Sequence, residues 1–243
     1  MWRSPMKSSA LATAKRAYAS GARGVGKVLT RVRLLPEDPP PRDSRLKHWA
    51  YSLTRAHDSI GISELDVPWW TYDAIDHVEA WLADRDGVRA FEWGSGASTI
   101  WLAKRVESVH SVEHHRGFGE MMQANLAGTA NATVEIVEAV ESDEPKVPSA
   151  KEGHGGLDFA PYVERIHEIG GTYDLIVVDG RAREACLLAA LDHLAADGIV
   201  VFDNTRRRRY QEAIDAAPVR AQAYRGLTPT LPYPDQTSIV TPA

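Results

Sequence analysis

The sequence has few of the residues that would define a disulfide-bonded, membrane-spanning or strongly basic protein. Its 243 residues contain one cysteine, Cys186, which excludes an intramolecular disulfide and a cysteine-based zinc cluster. Because Cys186 lies in an apolar helical run, we interpret it as a small buried residue. No apolar run approaches membrane-spanning length. The net charge of -5 argues against nucleic acid as the main partner, so we expect a cytoplasmic enzyme without a stable nucleic acid partner.

Acidic residues are missing from the first 33 positions, although these contain eight lysines and arginines. We interpret residues 1–42 as a basic extension, which ends in the Pro-rich linker 35–42 because consecutive prolines cannot join a helix. The favoured interpretation of this extension is a loosely ordered tail. The alternative is an amphipathic segment that touches a membrane surface or a partner. The predicted catalytic domain is then 43–243.

Apolar strands alternate with helical patterns over the rest of the chain, which predicts an α/β fold with a mostly parallel sheet covered on both faces. Strands are predicted at 90–92, 109–113, 133–137, 173–179, 199–202, 221–227 and 236–241, and helices at 43–58, 72–83, 99–105, 118–127, 184–195 and 206–216. Residues 141–171 are rich in Gly, Pro and charge, and with 229–234 they are expected to form a substrate lid.

The first strand of this sheet leads into a Gly-Ser-Gly turn at 94–96. Glycines there allow a sharp turn and a close approach of the backbone to a ligand. Glu113 ends the second strand about twenty residues later, where it can accept hydrogen bonds from ribose hydroxyls. A dinucleotide fingerprint requires a third glycine, but Thr99 occupies that position. Glu92 would repel a pyrophosphate and suits a cationic ligand, so an NAD-dependent oxidoreductase is a disfavoured alternative.

The acid at Glu92, the two glycines and the strand-terminal Glu113 resemble class I S-adenosylmethionine-dependent methyltransferases from about Pro68 to the C-terminus. The resemblance implies a Rossmann-like, seven-stranded sheet and S-adenosylmethionine as cofactor. It also implies that Glu92, with the backbone of Gly94 and Gly96, faces the methionine portion, and that Glu113 binds the ribose.

Two further residues are weaker candidates for cofactor contact. By the same resemblance, Glu138 matches an acid that meets the adenine amino group, although an exposed strand-end glutamate explains it equally well. Thr71 could close over the cofactor, but its position before a predicted helix is also explained by N-capping.

Acidic residues at two strand ends indicate where the methyl acceptor binds. Asp179 and the pair Asp203-Asn204 resemble the magnesium site of catechol-type O-methyltransferases, so we predict Asp179 and Asp203 as catalytic residues and all three as tentative Mg²⁺ ligands. In those enzymes a lysine follows the first aspartate as general base, whereas here Arg181 stands near that place, and arginine cannot act as a base. Without a metal, the proton acceptor would be Asp179 or one of three histidines, His114, His115 and His154.

The nature of the acceptor is indicated by two further features. The Asp/Asn-Pro-Pro-Tyr element of many amino-group methyltransferases is absent, which favours an oxygen acceptor. Arg181, Arg183 and the run 206–209 are expected to rim the pocket and to hold a carboxylate, phosphate or sulfate. We therefore predict O-methylation of a small-molecule or glycan-like acceptor carrying an anionic group. A non-catalytic binding or scaffold protein that keeps the fold is the alternative.

Overall fold

The computed structural model describes residues 38–55 and 64–243. The strands are β1 Arg89–Trp93, β2 Ser108–Glu113, β3 Ala132–Ile136, β4 Val140–Glu141, β5 Leu157–Asp158, β6 Tyr173–Val178, β7 Leu194–Asp203, β8 Val219–Gly226 and β9 Asp235–Pro242. The helices are α1 Arg45–Ser52, α2 Tyr72–Ala83, α3 Ala97–Ala103, α4 Arg116–Asn125, α5 Ala160–Ile169, α6 Arg183–Leu191 and α7 Arg208–Ala216, and a 3-10 turn at Leu53–Arg55 follows α1.

Seven strands form one sheet in the order β3-β2-β1-β6-β7-β9-β8, and β4 pairs with β5 in a separate small hairpin. Neighbours are parallel from β3 to β7, whereas β9 runs antiparallel to both β7 and β8. The expected seven-stranded, mostly parallel, Rossmann-like sheet is therefore confirmed. Its parallel strands bring their carboxyl ends to one edge, since Trp93 lies opposite both Val112 and Val178.

Apolar side chains pack on both faces of this sheet, because successive residues of a strand point to opposite sides. One face buries Leu175 and Val177 against α2 and α3, with Trp70 and Trp101 in edge-to-face contact. The other face buries Phe91 and its neighbours against α5 and α6. Cys186 lies in this second cluster and is fully buried, as its apolar surroundings in the sequence predicted.

One helix falls within the segment predicted as a lid. Helix α5 has Pro161 in its first turn, where proline is tolerated, and it buries Tyr162, Val163 and Ile166. The lid prediction for 141–171 was therefore wrong over this helix. The fifth strand was predicted to begin at residue 199, but β7 begins five residues earlier, at Leu194.

Predictions for the N-terminal part of the chain have different outcomes. Residues 1–37, and with them nearly all of the basic extension, lie outside the described residues, so its role and the domain boundary at 42/43 stay predictions. The predicted helix at 43–58 corresponds to α1 and its 3-10 turn, and its last three residues also lie outside the described part. None of the helices within 38–55 and 64–243 has the length and apolar character needed to span a bilayer.

Candidate active site

A cavity of about 850 Å³ opens at the carboxyl edge of the sheet. Its walls come from the turns after β1, β2, β6 and β7, and from the loop 230–235 before β9. Ligands bind at this edge in open parallel sheets. Six predicted site residues line the cavity: Gly94, Gly96, Glu113, Asp179, Asp203 and Asn204.

The turn after β1 is formed by two glycines with different requirements. Gly94 has φ +100, and a Cβ there would lie 2.7 Å from the Gly180 nitrogen, so the turn after β1 packs directly against the turn after β6. Gly96 has an extended backbone, and a Cβ built on it meets no atom within 4 Å. Gly94 is therefore required by the fold, while Gly96 keeps the cavity wall open beside the start of α3.

Glu113 presents a buried carboxylate to the cavity. Its Oε2 accepts a hydrogen bond from the Ser95 hydroxyl (3.2 Å), its Oε1 accepts one from the His115 amide (2.7 Å), and His114 Nδ1 lies 2.9 Å from Oε1. Burial acts to raise the pKa of Glu113, but these three neighbours outweigh it and hold the pKa below its ordinary value. Glu113 is consequently an ionised acceptor, which suits a ribose diol.

Glu92 lies behind the glycine turn and does not line the cavity. Its carboxylate accepts hydrogen bonds from the hydroxyls of Ser98, Thr99 and Ser111, which belong to α3 and β2. Burial raises the pKa of Glu92 to about 7, although the three hydroxyl donors oppose the rise. This corrects the expectation that Glu92 touches the methionine portion: it ties β1, α3 and β2 together beneath the turn.

The two weaker candidates are also placed outside the cavity lining. Thr71 precedes α2 as predicted, but its side chain makes no capping bond; its hydroxyl donates to the Tyr224 carbonyl at 3.3 Å. Glu138 forms an ion pair with Arg116 (2.5 Å) on the surface. The expected contacts of Thr71 and Glu138 with the cofactor are therefore corrected.

Arg183 lies between the two predicted catalytic aspartates. Its Nη2 donates to Asp179 Oδ1 (2.6 Å), and its Nη1 donates to the Asp203 carbonyl (2.7 Å) and lies 3.9 Å from Asp203 Oδ2. Its Nε donates to the Gly180 carbonyl at 3.0 Å. Arg183 lines the cavity, as expected, but its side chain is only 5% exposed and is engaged by these partners, so it is not free to hold an acceptor.

These contacts do not fit the predicted Mg²⁺ site. The Arg183 guanidinium already supplies a positive charge between the two carboxylates. Asp203 Oδ1 accepts from Thr237 (2.7 Å), and its Oδ2 accepts from the Asn204 amide. In the part of the chain that the structure describes, no group of three or more His, Cys, Asp or Glu side chains is arranged to hold a metal. We derive no catalytic step through a metal.

Asp179 and His154 are the two base candidates at the cavity that keep an unoccupied polar atom. Burial raises the pKa of Asp179, although the charges of Arg183, Arg181 and Arg207 oppose it. Its Oδ1 is bound by Arg183, whereas its Oδ2 receives no hydrogen bond from any described residue. Burial lowers the pKa of His154, so its imidazole is neutral at pH 7.

The other two histidines have structural partners. His115 Nδ1 accepts from the Phe118 amide (3.2 Å) and thereby caps α4. His114 lies against Glu113, as described above. The cavity thus holds all four predicted base candidates, and Oδ2 of Asp179 and Nε2 of His154 have no hydrogen-bond partner among the described residues.

Several lining residues were missed by the sequence analysis. Ser95 was treated only as part of a flexible turn, although a hydroxyl between two glycines is a signal for a polar contact. Trp69 gave no signal, because it belongs to no periodic pattern. The loop that includes Leu231 is held by α1: Trp49 Nε1 donates to the Leu231 carbonyl (2.8 Å), and Ser52 Oγ accepts from the Thr230 amide (2.9 Å). The sequence could not pair residues 178 or more positions apart.

Comparison with known proteins agrees with this architecture. A protein-family profile described as a methyltransferase domain matches residues 91–205, just under half of the chain. No curated protein sequence matches the chain. An S-adenosylmethionine-dependent O-methyltransferase from Thermotoga maritima has a TM-score of 0.50 at 14% identity, with 79% of this chain and 71% of that chain covered.

Two further solved structures are less similar in fold. TrmN from Thermus thermophilus gives a TM-score of 0.48 at 11% identity over 69% of this chain, which spans only 48% of the TrmN chain. A precorrin 8w decarboxylase from Methanobacterium thermoautotrophicum gives a TM-score of 0.47 at 17% identity, with 72% of this chain and 91% of that chain covered. The profile match over 91–205 and the shared fold agree with the resemblance to class I S-adenosylmethionine-dependent methyltransferases seen in the sequence.

Proposed function

We propose that this methyltransferase transfers the methyl group of S-adenosylmethionine to a hydroxyl of a small-molecule or glycan-like acceptor. The observation that carries the proposal is a single cavity with two chemically different ends. One end holds the glycine turn and the ionised Glu113, and the other holds the open oxygen of Asp179. A cofactor and an acceptor bound in this cavity would lie side by side.

The cofactor end fits S-adenosylmethionine through the chemistry of its residues. Gly96 leaves open space where a side chain would project, which allows a ligand to approach the backbone. Glu113 offers a buried carboxylate to the ribose hydroxyls. When bound, S-adenosylmethionine supplies a methyl group already activated on a sulfonium, so the protein has mainly to align the acceptor and remove its proton.

Asp179 is proposed as the group that takes this proton. As the acceptor oxygen bonds to the methyl carbon, the hydroxyl proton moves to Asp179 Oδ2, and the electron pair of the broken sulfur–carbon bond stays on sulfur. Burial raises the pKa of Asp179 and so makes its carboxylate a stronger base than an exposed aspartate. Arg183 holds the other oxygen, and Asp203 acts as a positioning residue for Arg183.

The first experiment is calorimetric titration with S-adenosylhomocysteine, with and without Mg²⁺, and with NADH as a control. We expect micromolar binding of S-adenosylhomocysteine alone, whatever the Mg²⁺ concentration. Absence of binding would favour the scaffold alternative, and binding of NADH would favour an oxidoreductase.

The second experiment tests Asp179. Acceptor compounds are screened with methyl-labelled S-adenosylmethionine, and Asp179→Asn is compared with Asp192→Asn, which removes an exposed carboxylate beyond α6. General base catalysis contributes about 10²–10⁴-fold, so D179N should lower kcat by that order while its affinity for S-adenosylhomocysteine is kept. Full activity of D179N would shift the role of base to His154.

A further inference from the structure

Arg181 carries a positive charge into the acceptor end of the cavity without an ion-pair partner among the described residues. Its side chain lines the cavity, and its Nε is buried with no hydrogen-bond partner in the described part of the chain. Among residues 38–55 and 64–243, its guanidinium makes one hydrogen bond, from Nη1 to the carbonyl of the adjacent Gly180 (3.1 Å). Desolvation by burial, together with the nearby charge of Arg183, lowers the pKa of Arg181. A buried guanidinium in this state is costly unless a ligand pairs with it.

Arg207 adds a second cation at the same end. It lines the cavity from the turn before α7, and its side chain contacts Tyr210, through a long hydrogen bond from Nη1 to the hydroxyl (3.4 Å) and with its guanidinium 5.7 Å from the ring centroid. Its neighbours are engaged elsewhere, since Arg208 pairs with Glu212 (2.7 Å) and Arg209 pairs with Glu184 (3.2 Å). Within 38–55 and 64–243, neither Arg181 nor Arg207 forms an ion pair.

The acidic groups of the cavity interact with these two arginines at longer range, Asp179 most directly, but form no ion pair with them among the described residues. Asp179 and Asp203 share Arg183, as described above, and Glu113 lies at the cofactor end beside His114. Asp235 accepts from the Asn204 amide (3.1 Å) and from the Gln236 backbone amide (2.8 Å). The acceptor end therefore holds two arginines that lack an ion-pair partner among the described residues, and Arg181 is largely removed from water.

We propose that the methyl acceptor is an anionic small molecule, and that its carboxylate or phosphate is held between Arg181 and Arg207. Guanidinium groups bind both anions through charge-assisted hydrogen bonds, which are stronger than neutral ones. This inference rests on the proposed function, because it assigns a chemical class to the acceptor of that reaction. Of the arginines that the sequence analysis expected at the pocket, the inference selects Arg181 and Arg207, which line the cavity and form no ion pair with a described residue.

The test uses protein saturated with S-adenosylhomocysteine, titrated calorimetrically with inorganic phosphate or with acetate at constant ionic strength. At least one anion should bind, and the preferred one indicates whether the acceptor carries a phosphate or a carboxylate. Arg181→Gln and Arg207→Gln should each weaken binding about 10-fold or more, the scale of a lost charge-assisted bond. Arg208→Gln removes the same charge one position away from Arg207, outside the cavity, and should bind like the wild type.

Three results would overturn the inference. The first is that neither anion binds. The second is that R208Q weakens anion binding as strongly as R181Q does, which would indicate a general electrostatic attraction. The third is that a short single-stranded RNA binds tightly and that its affinity depends on Arg208 as much as on Arg181, which would indicate a nucleic acid acceptor. S-adenosylhomocysteine affinity is measured for every variant. If it is retained while anion binding fails, only this inference is lost, whereas absence of S-adenosylhomocysteine binding in the wild type would remove the proposed function itself.

Discussion

Gly94 and Gly180 are in backbone contact: a Cβ on Gly94 would lie 2.7 Å from the Gly180 nitrogen and 2.8 Å from its Cα. The contact joins the turns after the neighbouring strands β1 and β6, which both line the cavity. No side chain at position 94 can be accommodated without moving one of the two turns.

The two glycines of the turn should therefore respond differently to alanine. Gly94→Ala combines the clash with a positive φ, and we expect it to lower the free energy of unfolding by about 1–3 kcal/mol or more. Gly96→Ala meets no protein atom, so it should keep its stability and instead weaken S-adenosylhomocysteine binding, because its methyl group enters the cavity. Urea unfolding and calorimetry on both variants separate the effects. Equal losses of stability in the two variants would show that the backbone of the turn tolerates a side chain at neither position.

A second prediction concerns Glu113 as a ligand for ribose. Replacing it with glutamine removes a charge but keeps the shape, and should weaken S-adenosylhomocysteine binding by about 1.5–3 kcal/mol, the scale of a hydrogen bond to a charged group. Glu138→Gln is the matched control, because Glu138 pairs with Arg116 outside the cavity. Calorimetry should show that E138Q binds S-adenosylhomocysteine with wild-type affinity. A similar loss of affinity in both variants would instead support a contact of Glu138 with the cofactor.

The sequence was most informative where a pattern is repeated or is set by local backbone geometry. The alternation of apolar strands predicted the sheet, and Gly94 and Gly96 predicted the turn. Glu92 shows the limit of this reasoning. An acid before a glycine turn suggests contact with a ligand, but register places it beside Ser111 of the next strand, and three hydroxyls then enclose it.

Arg183 shows a second limit. Its position just after the strand-end Asp179 suggested an exposed cation at the pocket mouth. In the fold, β6 and β7 are adjacent, so the guanidinium meets two acids that are 24 positions apart in the chain, Asp179 and Asp203. The partners of a long side chain are brought together only by the tertiary structure, so its burial cannot be inferred from the local sequence.

This buried pairing leads to a prediction about stability. Removing one partner of a buried ion pair typically costs about 3–5 kcal/mol, because the remaining charge is left without compensation. Arg183→Gln should lower the free energy of unfolding by this order at pH 7.5. Asp203→Asn in the same background should restore part of the loss, since it removes one of the stranded carboxylates. Urea unfolding of the single and double variants measures the coupling free energy between Arg183 and Asp203. If the losses in the free energy of unfolding are simply additive, the two residues do not interact and the prediction is contradicted.

The same residues predict that the enzyme does not bind a divalent metal between its aspartates. Electron paramagnetic resonance should find no Mn²⁺ bound at micromolar concentrations, and chelator should leave methyl transfer unchanged. Tight Mn²⁺ binding that disappears in Asp203→Asn would contradict this prediction and restore the magnesium site expected from the resemblance. Asp215→Asn on α7, a residue away from the cavity, is the control for nonspecific binding.

The last prediction follows from the raised pKa of Glu92. In the folded protein burial raises this pKa to about 7, whereas a glutamate in the unfolded chain titrates near 4.5. The folded state therefore binds more protons between these pH values, and the Glu92 contribution to stability falls as pH rises through that window. The full loss is about 3 kcal/mol, at 1.36 kcal/mol for each pH unit.

Glu92→Gln cannot titrate, and the three hydroxyls can rotate to meet its amide. Urea unfolding from pH 4.5 to 8 should show E92Q gaining on the wild type as pH rises, while Glu120→Gln on the exposed side of α4 should follow the wild type. A constant difference between E92Q and the wild type over this range would mean that Glu92 is already ionised in the folded protein at pH 5.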